Sequence, residues 1–155
     1  MALKGPRSVL ETDISLTVSV ASARGFLVVH GTAGSGIALG DSAGTATIQT
    51  NPSGYKVAGM LLNDVVDYDT TRYHGNFHKD ETLINERANL ATKGRFTTNA
   101  LVSGQTPTAG DKAYLGASGK LTATWVNDVA TPKVGAFAGA KDENGYVCFD
   151  LNLPL

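Results

Sequence analysis

A single cysteine, Cys148, leaves no internal disulfide to form, so nothing calls for an oxidising compartment. Its place between Val147 and Phe149 predicts a half-buried small side chain, not a reactive thiol. Basic charge is not in surplus either: 13 Lys and Arg stand against 14 Asp and Glu, a net of −1. Nucleic acid is therefore not an expected partner, because neutralising phosphates takes a basic stripe. No apolar run reaches the length of a membrane span, so no membrane partner is expected. Behind Lys4 and Arg7 the acids Glu11 and Asp13 interrupt any apolar stretch, which argues against a secretory leader. The expectation is a soluble protein made in a cytoplasm. Charged residues make up only 17% of the chain, and Ala, Gly and Thr take their place. A smooth, weakly charged surface of this kind suits packing against other protein.

Catalytic signatures are also missing. The glycine-rich run at 31–44 lacks the dinucleotide spacing, ends in no Gly-Lys-Ser/Thr, and precedes no helical pattern that would offer an N-terminal dipole. Turn chemistry between short strands explains it. His74 and His78 lie four apart, the spacing of a helical zinc pair, and Asp80 and Glu81 could complete a site. Gly75 separates them and no glutamate sits at catalytic spacing, so they read as polar surface, with metal kept only as the alternative. Asp67-Tyr68-Asp69 opens like a calcium loop, but Arg72 stands where glycine belongs and His78 where the bidentate glutamate belongs. There is no Gly-x-Ser-x-Gly elbow. Asp142 and Glu143 read as solvated turn residues. The sequence predicts no catalytic residue, no cofactor and no enzyme.

What is present is β pattern. Val147, Phe149, Leu151 and Leu153 alternate with Tyr146, Cys148, Asp150 and Asn152, the period of a strand with one buried face. Residues 134–138 and 146–153 flank a turn ending in Asn144-Gly145. That dipeptide predicts a type I′ hairpin, with positive φ at both residues. A second hairpin joins 112–115 to 120–124 across Gly116-Ala117-Ser118-Gly119. Upstream, residues 12–20 alternate with Ile14, Leu16, Val18 and Val20 on the expected buried face. Further strands are expected at 25–30, 45–49, 55–62 and 90–101, the last with Gly94 at a bulge. Trp125, the only tryptophan, reads as a core or interface anchor before a ligand platform.

Two stretches break the pattern. Residues 1–11 form an extended arm, which either frays or orders on a neighbouring subunit. Residues 63–89 carry six of the fourteen acids, two of the three histidines and Tyr68, Tyr73 and Phe77, without a sustained period of two. The aromatics argue for an ordered excursion in contact with something, with a short helix over 80–90. The predicted fold is all-β, an antiparallel β-barrel or sandwich of short strands. It carries an N-terminal arm at 1–11, one β domain at 12–155 and one long irregular excursion. A faint echo between 38–59 and 114–136 is read either as two similar β units, 12–62 and 90–155, or as chance.

Taken together, "KVAGMLLNDVVDYD", "HGNFHKDET", "LATKGRFTTN", "AGDKAYLGASGKLTAT" and "TPKVGAFAGAKDENGYVCFDLNL" run in the same order as segments of small virion proteins of tailed bacteriophages. The sequence resembles their head decoration, or capsid cement, proteins over residues 55–153. The resemblance implies an all-β structural protein on the outer capsid surface of the virion, typically a homotrimer, that stabilises the shell by bridging major capsid protein subunits. It implies no catalytic residues. Lys4, Pro6 and Arg7 of the arm and Tyr68, Tyr73 and Phe77 of the excursion are the expected contacts with the shell. The alternatives are a phage tail or baseplate component, a carbohydrate-binding β module using Tyr68, Tyr73, Phe77 or Trp125, and a metal-dependent hydrolase using His74 and His78.

Overall fold

The computed structural model describes residues 3–4, 8–34, 44–67, 81–125 and 131–153. Within them lie β1 (Ser8–Asp13), β2 (Thr17–Val18), β3 (Leu27–Gly34), β4 (Gly44–Thr47), β5 (Val57–Leu61) and β6 (Asp64–Val66). There follow β7 (Glu81–Leu83), β8 (Leu90–Thr98), β9 (Lys112–Leu115), β10 (Leu121–Thr122), β11 (Lys133–Phe137) and β12 (Val147–Asn152). The only helical element among the described residues is a single 3₁₀ turn at Ala117–Gly119. The protein is all-β and mostly antiparallel, as its alternating pattern predicts.

β8 is the hub. One of its edges is taken by β12 from Thr98 to Lys93 and then by β5 at Ala91 and Leu90. Since Ala91 pairs with both Met60 and Thr12, and Gly94 with both Leu151 and Val9, β1 must lie along the opposite edge. From the edge of β8 that β12 and β5 share, one path runs through β12, β11, β9 and β10 and another through β5, β3, β4 and β2. The separate β6–β7 pair is parallel.

Two apolar clusters fill the interior. The larger gathers Leu27, Met60, Phe96, Leu115, Val134 and the inward row Val147, Phe149, Leu151 and Leu153 of β12. The smaller joins Leu16, Val18, Val28, Ala46, Leu61, Val65 and Leu90. β3 explains its near-continuous apolar sequence by feeding both: Leu27 and Val29 enter the first cluster, Val28 the second. The alternation expected of β12 is observed in full, with Cys148 half-buried on its outer face.

Several local expectations are corrected. Residues 12–20 are not one strand. The Asp13 carboxylate accepts the Ser15 N–H at 2.7 Å and turns the chain, so Leu16 and Val18 are buried while Ile14 is 61% exposed. The short helix does not form over 81–90. β7 instead pairs with β6, Glu86 Oε2 accepts the Leu83 N–H, and Asn85 takes a positive φ of 66°. Partners across the sheet outbid a weak helical pattern there. The hairpin at Asn144-Gly145 is real, but only Gly145 has positive φ, at 82°. Its N–H donates to the Asp142 carbonyl at 3.0 Å, and the Asp142 side chain accepts the Asn144 and Tyr146 N–H groups. This is a tight turn followed by a glycine bulge, not type I′.

Where it is described, the N-terminal segment packs on its own chain. Leu3 is 2% exposed inside the larger cluster, the Lys4 N–H donates to the Thr97 carbonyl, and β1 runs in antiparallel register along β8. Two compensating bulges, at Leu10 in β1 and at Thr92 in β8, interrupt that register between Val9 and Thr12. The bulge is therefore opposite Gly94 and not at it. Gly94 has φ +151°, and a Cβ there would lie 2.3 Å from the Ser8 carbonyl oxygen and 2.9 Å from the Phe96 ring. Only glycine lets β1 come this close to β8.

Candidate functional site

The bulge in β1 has a consequence for the surface. Leu10, the extra residue, turns outward and is 69% exposed, and its neighbour Val9 is 38% exposed. Ile14 and Val20 follow at 61% and 41%. Among the described residues seven large hydrophobic side chains are exposed, and four of them fall on residues 9–20. Scattered apolar side chains need no explanation, but concentration on one ordered run at a sheet margin does. β1 is held by its ladder to β8 and by the buried Leu3 ahead of it, which fixes the backbone that carries Val9 and Leu10, while Ile14 and Val20 follow outside the strand.

The same strand is guarded against simple strand addition. Its bulge distorts the outer edge, and Glu11 and Asp13 place acids on it. Both are devices that discourage edge-to-edge pairing. The chemistry available here is aliphatic side-chain contact framed by negative charge.

Lys4 is occupied within the chain. Its Nζ lies 3.1 Å from Asp142 Oδ2 and 4.4 Å from the centroid of the Tyr146 ring. The Asp142 carboxyl is held below the ordinary carboxylate range, first by the Tyr146 N–H and then by Lys4. This lysine thus ties the N-terminal segment to the β11–β12 turn. Pro6, Arg7, Tyr68, Tyr73, Phe77, His74 and His78 lie outside the described residues. Among the described residues no group of three or more His, Cys, Asp or Glu side chains converges as a metal site. No described helix is long and apolar enough to cross a membrane. Trp125 is 55% exposed, so it does not anchor the core.

The outer face of the hub carries an Arg95–Asp150 pair joined by two bonds, Nε–Oδ1 at 2.6 Å and Nη2–Oδ2 at 2.8 Å. It holds Asp150 below the usual carboxylate range. Both side chains are about half exposed, so the pair fixes the β8–β12 register more than it adds stability.

The exposed run at 9–20 was not legible beforehand. Period two placed Ile14 and Val20 inward. The one available signal was the adjacent pair Val9-Leu10 between Ser8 and Glu11, which no single-faced strand can bury on one side. No protein-family model matches the chain, and comparison with curated proteins finds no match.

Proposed function

We propose that the protein is a phage virion structural component that binds the outside of an assembled capsid and stabilises it by bridging major capsid protein subunits. The observation that carries this reading is the concentration of exposed apolar side chains, Val9, Leu10, Ile14 and Val20, on and just after β1. Support also comes from the low charge content and from the sequence likeness of residues 55–153 to head decoration proteins. Its output is adhesion, with no bond made or broken. Burying one exposed leucine or isoleucine contributes roughly 1.5–3 kcal/mol, too little for a stable complex alone. Repetition through a homotrimer multiplies such contacts. Because the ligand is the assembled lattice and not a free subunit, binding energy shifts the shell away from disassembly.

The test is co-sedimentation with undecorated heads. Removal of residues 1–11 would not serve, because Leu3 is part of the core. The double variant Leu10→Asp, Ile14→Asp changes only exposed positions and should keep its melting temperature while losing co-sedimentation. Full occupancy by that variant, or a wild-type protein that ignores heads, would refute the reading.

A further inference from the structure

Charge is segregated along this chain although its total is close to zero. Residues 63–89 carry six acids against Arg72, Lys79 and Arg87, while residues 90–125 carry Lys93, Arg95, Lys112 and Lys120 against Asp111 alone. The fold gathers part of each set on its own surface. Cross-strand partners share a face of a sheet. Lys112 pairs with Ala136, Ala136 with Asp150, and Asp150 with Arg95; in the next row Tyr114 pairs with Lys133, and Asn152 with Lys93. The outer face of β9, β11, β12 and β8 thus presents four exposed cations against Asp150, with Glu11 of β1 at its margin opposite Lys93. Among the described residues Arg95 is engaged by Asp150, while Lys112 and Lys133 form no ion pair. A shallow groove of about 440 Å³ runs over Gly135 and Ala136 on this face, with Lys133, Asp150 and Asn152 along it.

The opposite charge sits on the β6–β7 pair, which bridges from Ser22 to Val65 and from Thr17 to Arg87 hold near β2. Glu81 and Leu83 are two apart in β7 and share a face, and the Glu86 carboxylate returns to accept the Leu83 N–H. Leu83 is 38% exposed between these acids. Asp64 and Asp67 add further acids, against Arg24 and Arg87.

We propose that copies of this chain associate head to tail, the acid-flanked Leu83 of β7 on one copy seating in the lysine-rimmed groove over β11 on the next. Gly135 and Ala136 leave space for an aliphatic side chain, and Lys112 and Lys133 supply the counter-charges for Glu81 and Glu86. Charge selects this pairing, because either surface set against its own kind would repel. The two surfaces differ, so the contact is heterologous, and such contacts build rings where the rotation closes. It gives the homotrimer of the capsid reading a specific contact and rests on that reading only for the number of copies. Val9, Leu10, Ile14 and Val20 stay uncovered for the shell.

The experiment is sedimentation equilibrium of the full chain without heads. Wild type at about 0.5 mM in about 50 mM salt should exceed the monomer mass, and should shift towards it in about 500 mM salt, where exposed charges are screened. Lys112→Glu with Lys133→Glu, and separately Glu81→Lys with Glu86→Lys, should each weaken association about tenfold or more while circular dichroism stays native. An equimolar mixture of the two double variants should regain it, since each reversed surface then meets its complement. Ala136→Trp, which blocks the groove without changing charge, should also leave monomers. The proposal fails if wild type is monomeric at low salt, if either double variant or Ala136→Trp associates as wild type does, or if the mixture stays monomeric. A monomeric wild type that still co-sediments with heads overturns this contact alone; an associating one that ignores heads overturns the capsid reading alone.

Discussion

Replacing Gly94 with alanine tests the hub directly. Its φ of +151° lies where L residues are rarely found, which alone costs roughly 1–3 kcal/mol. The new Cβ would also meet the Ser8 carbonyl oxygen at 2.3 Å and the Phe96 ring at 2.9 Å. Neither can yield cheaply: Ser8 is held in the β1–β8 ladder, and Phe96 is fully buried beside Phe149, ring centroids 6.2 Å apart. The easier response is for β1 to peel away, which weakens the seat of Leu3 and its burial energy of about 1.5–3 kcal/mol. The expected loss is roughly 3–5 kcal/mol in total, or about 6–20 °C in melting temperature for a domain of this size. Gly54→Ala is the control. Gly54 also has positive φ, +75°, but nothing lies within 4 Å of its would-be Cβ, so only the backbone cost of about 1–2 kcal/mol remains. Urea unfolding and hydrogen exchange read both variants. Gly94→Ala should also speed exchange of the ladder amides in Ser8–Asp13, and Gly54→Ala should not. If Gly94→Ala melts no lower than Gly54→Ala, the close approach of β1 to β8 is not what the glycine serves.

Stability should fall in acid. Asp111, Asp142 and Asp150 are each held below the usual carboxylate pKa, by the Thr108 N–H, the Tyr146 N–H and Arg95 respectively. A depressed folded-state pKa contributes stability above the unfolded value of about 3.9, lost as pH falls through the folded value. Circular-dichroism melting should therefore be flat from pH 7 to 5 and decline below about pH 4, and Asp142→Asn should flatten that decline. A melting temperature unchanged between pH 5 and pH 2 would contradict the assignment. Thr131→Val removes the unpaired buried hydroxyl and should stabilise the free protein by about 1 kcal/mol, read by urea unfolding; destabilisation would mean the hydroxyl is satisfied. Phe149→Ala, in the largest cluster, should cost about 3–5 kcal/mol in the same assay, and a loss under about 1 kcal/mol would show that the cluster can collapse around the gap.

The features that could be read in advance are those whose physical cause is local. The inward row of β12 depends only on the pleat, and the β9–β10 and β11–β12 hairpins depend on turn residues and on neighbours a few positions away. Even there the turn type escaped, because the Asp142 side chain supplies bonds that a dipeptide rule does not count. The candidate sites were less legible. Lys4, expected at the shell, is bonded within the chain to a residue 138 positions away.

By itself the sequence determined an all-β chain, the inward row of its last strand, and the absence of recognisable catalytic motifs. Only the tertiary structure decided which alternating faces are covered. Period two says that a strand has two faces, but burial depends on what lies against each. For residues 8–20 that was set by pairing with β8, by the turn at Asp13 and by a bulge at Leu10. The turn at Asp13 is local, but the pairing and its bulge link positions about 80 residues apart, whose meeting reflects the energy of the whole core and leaves no mark in a local pattern.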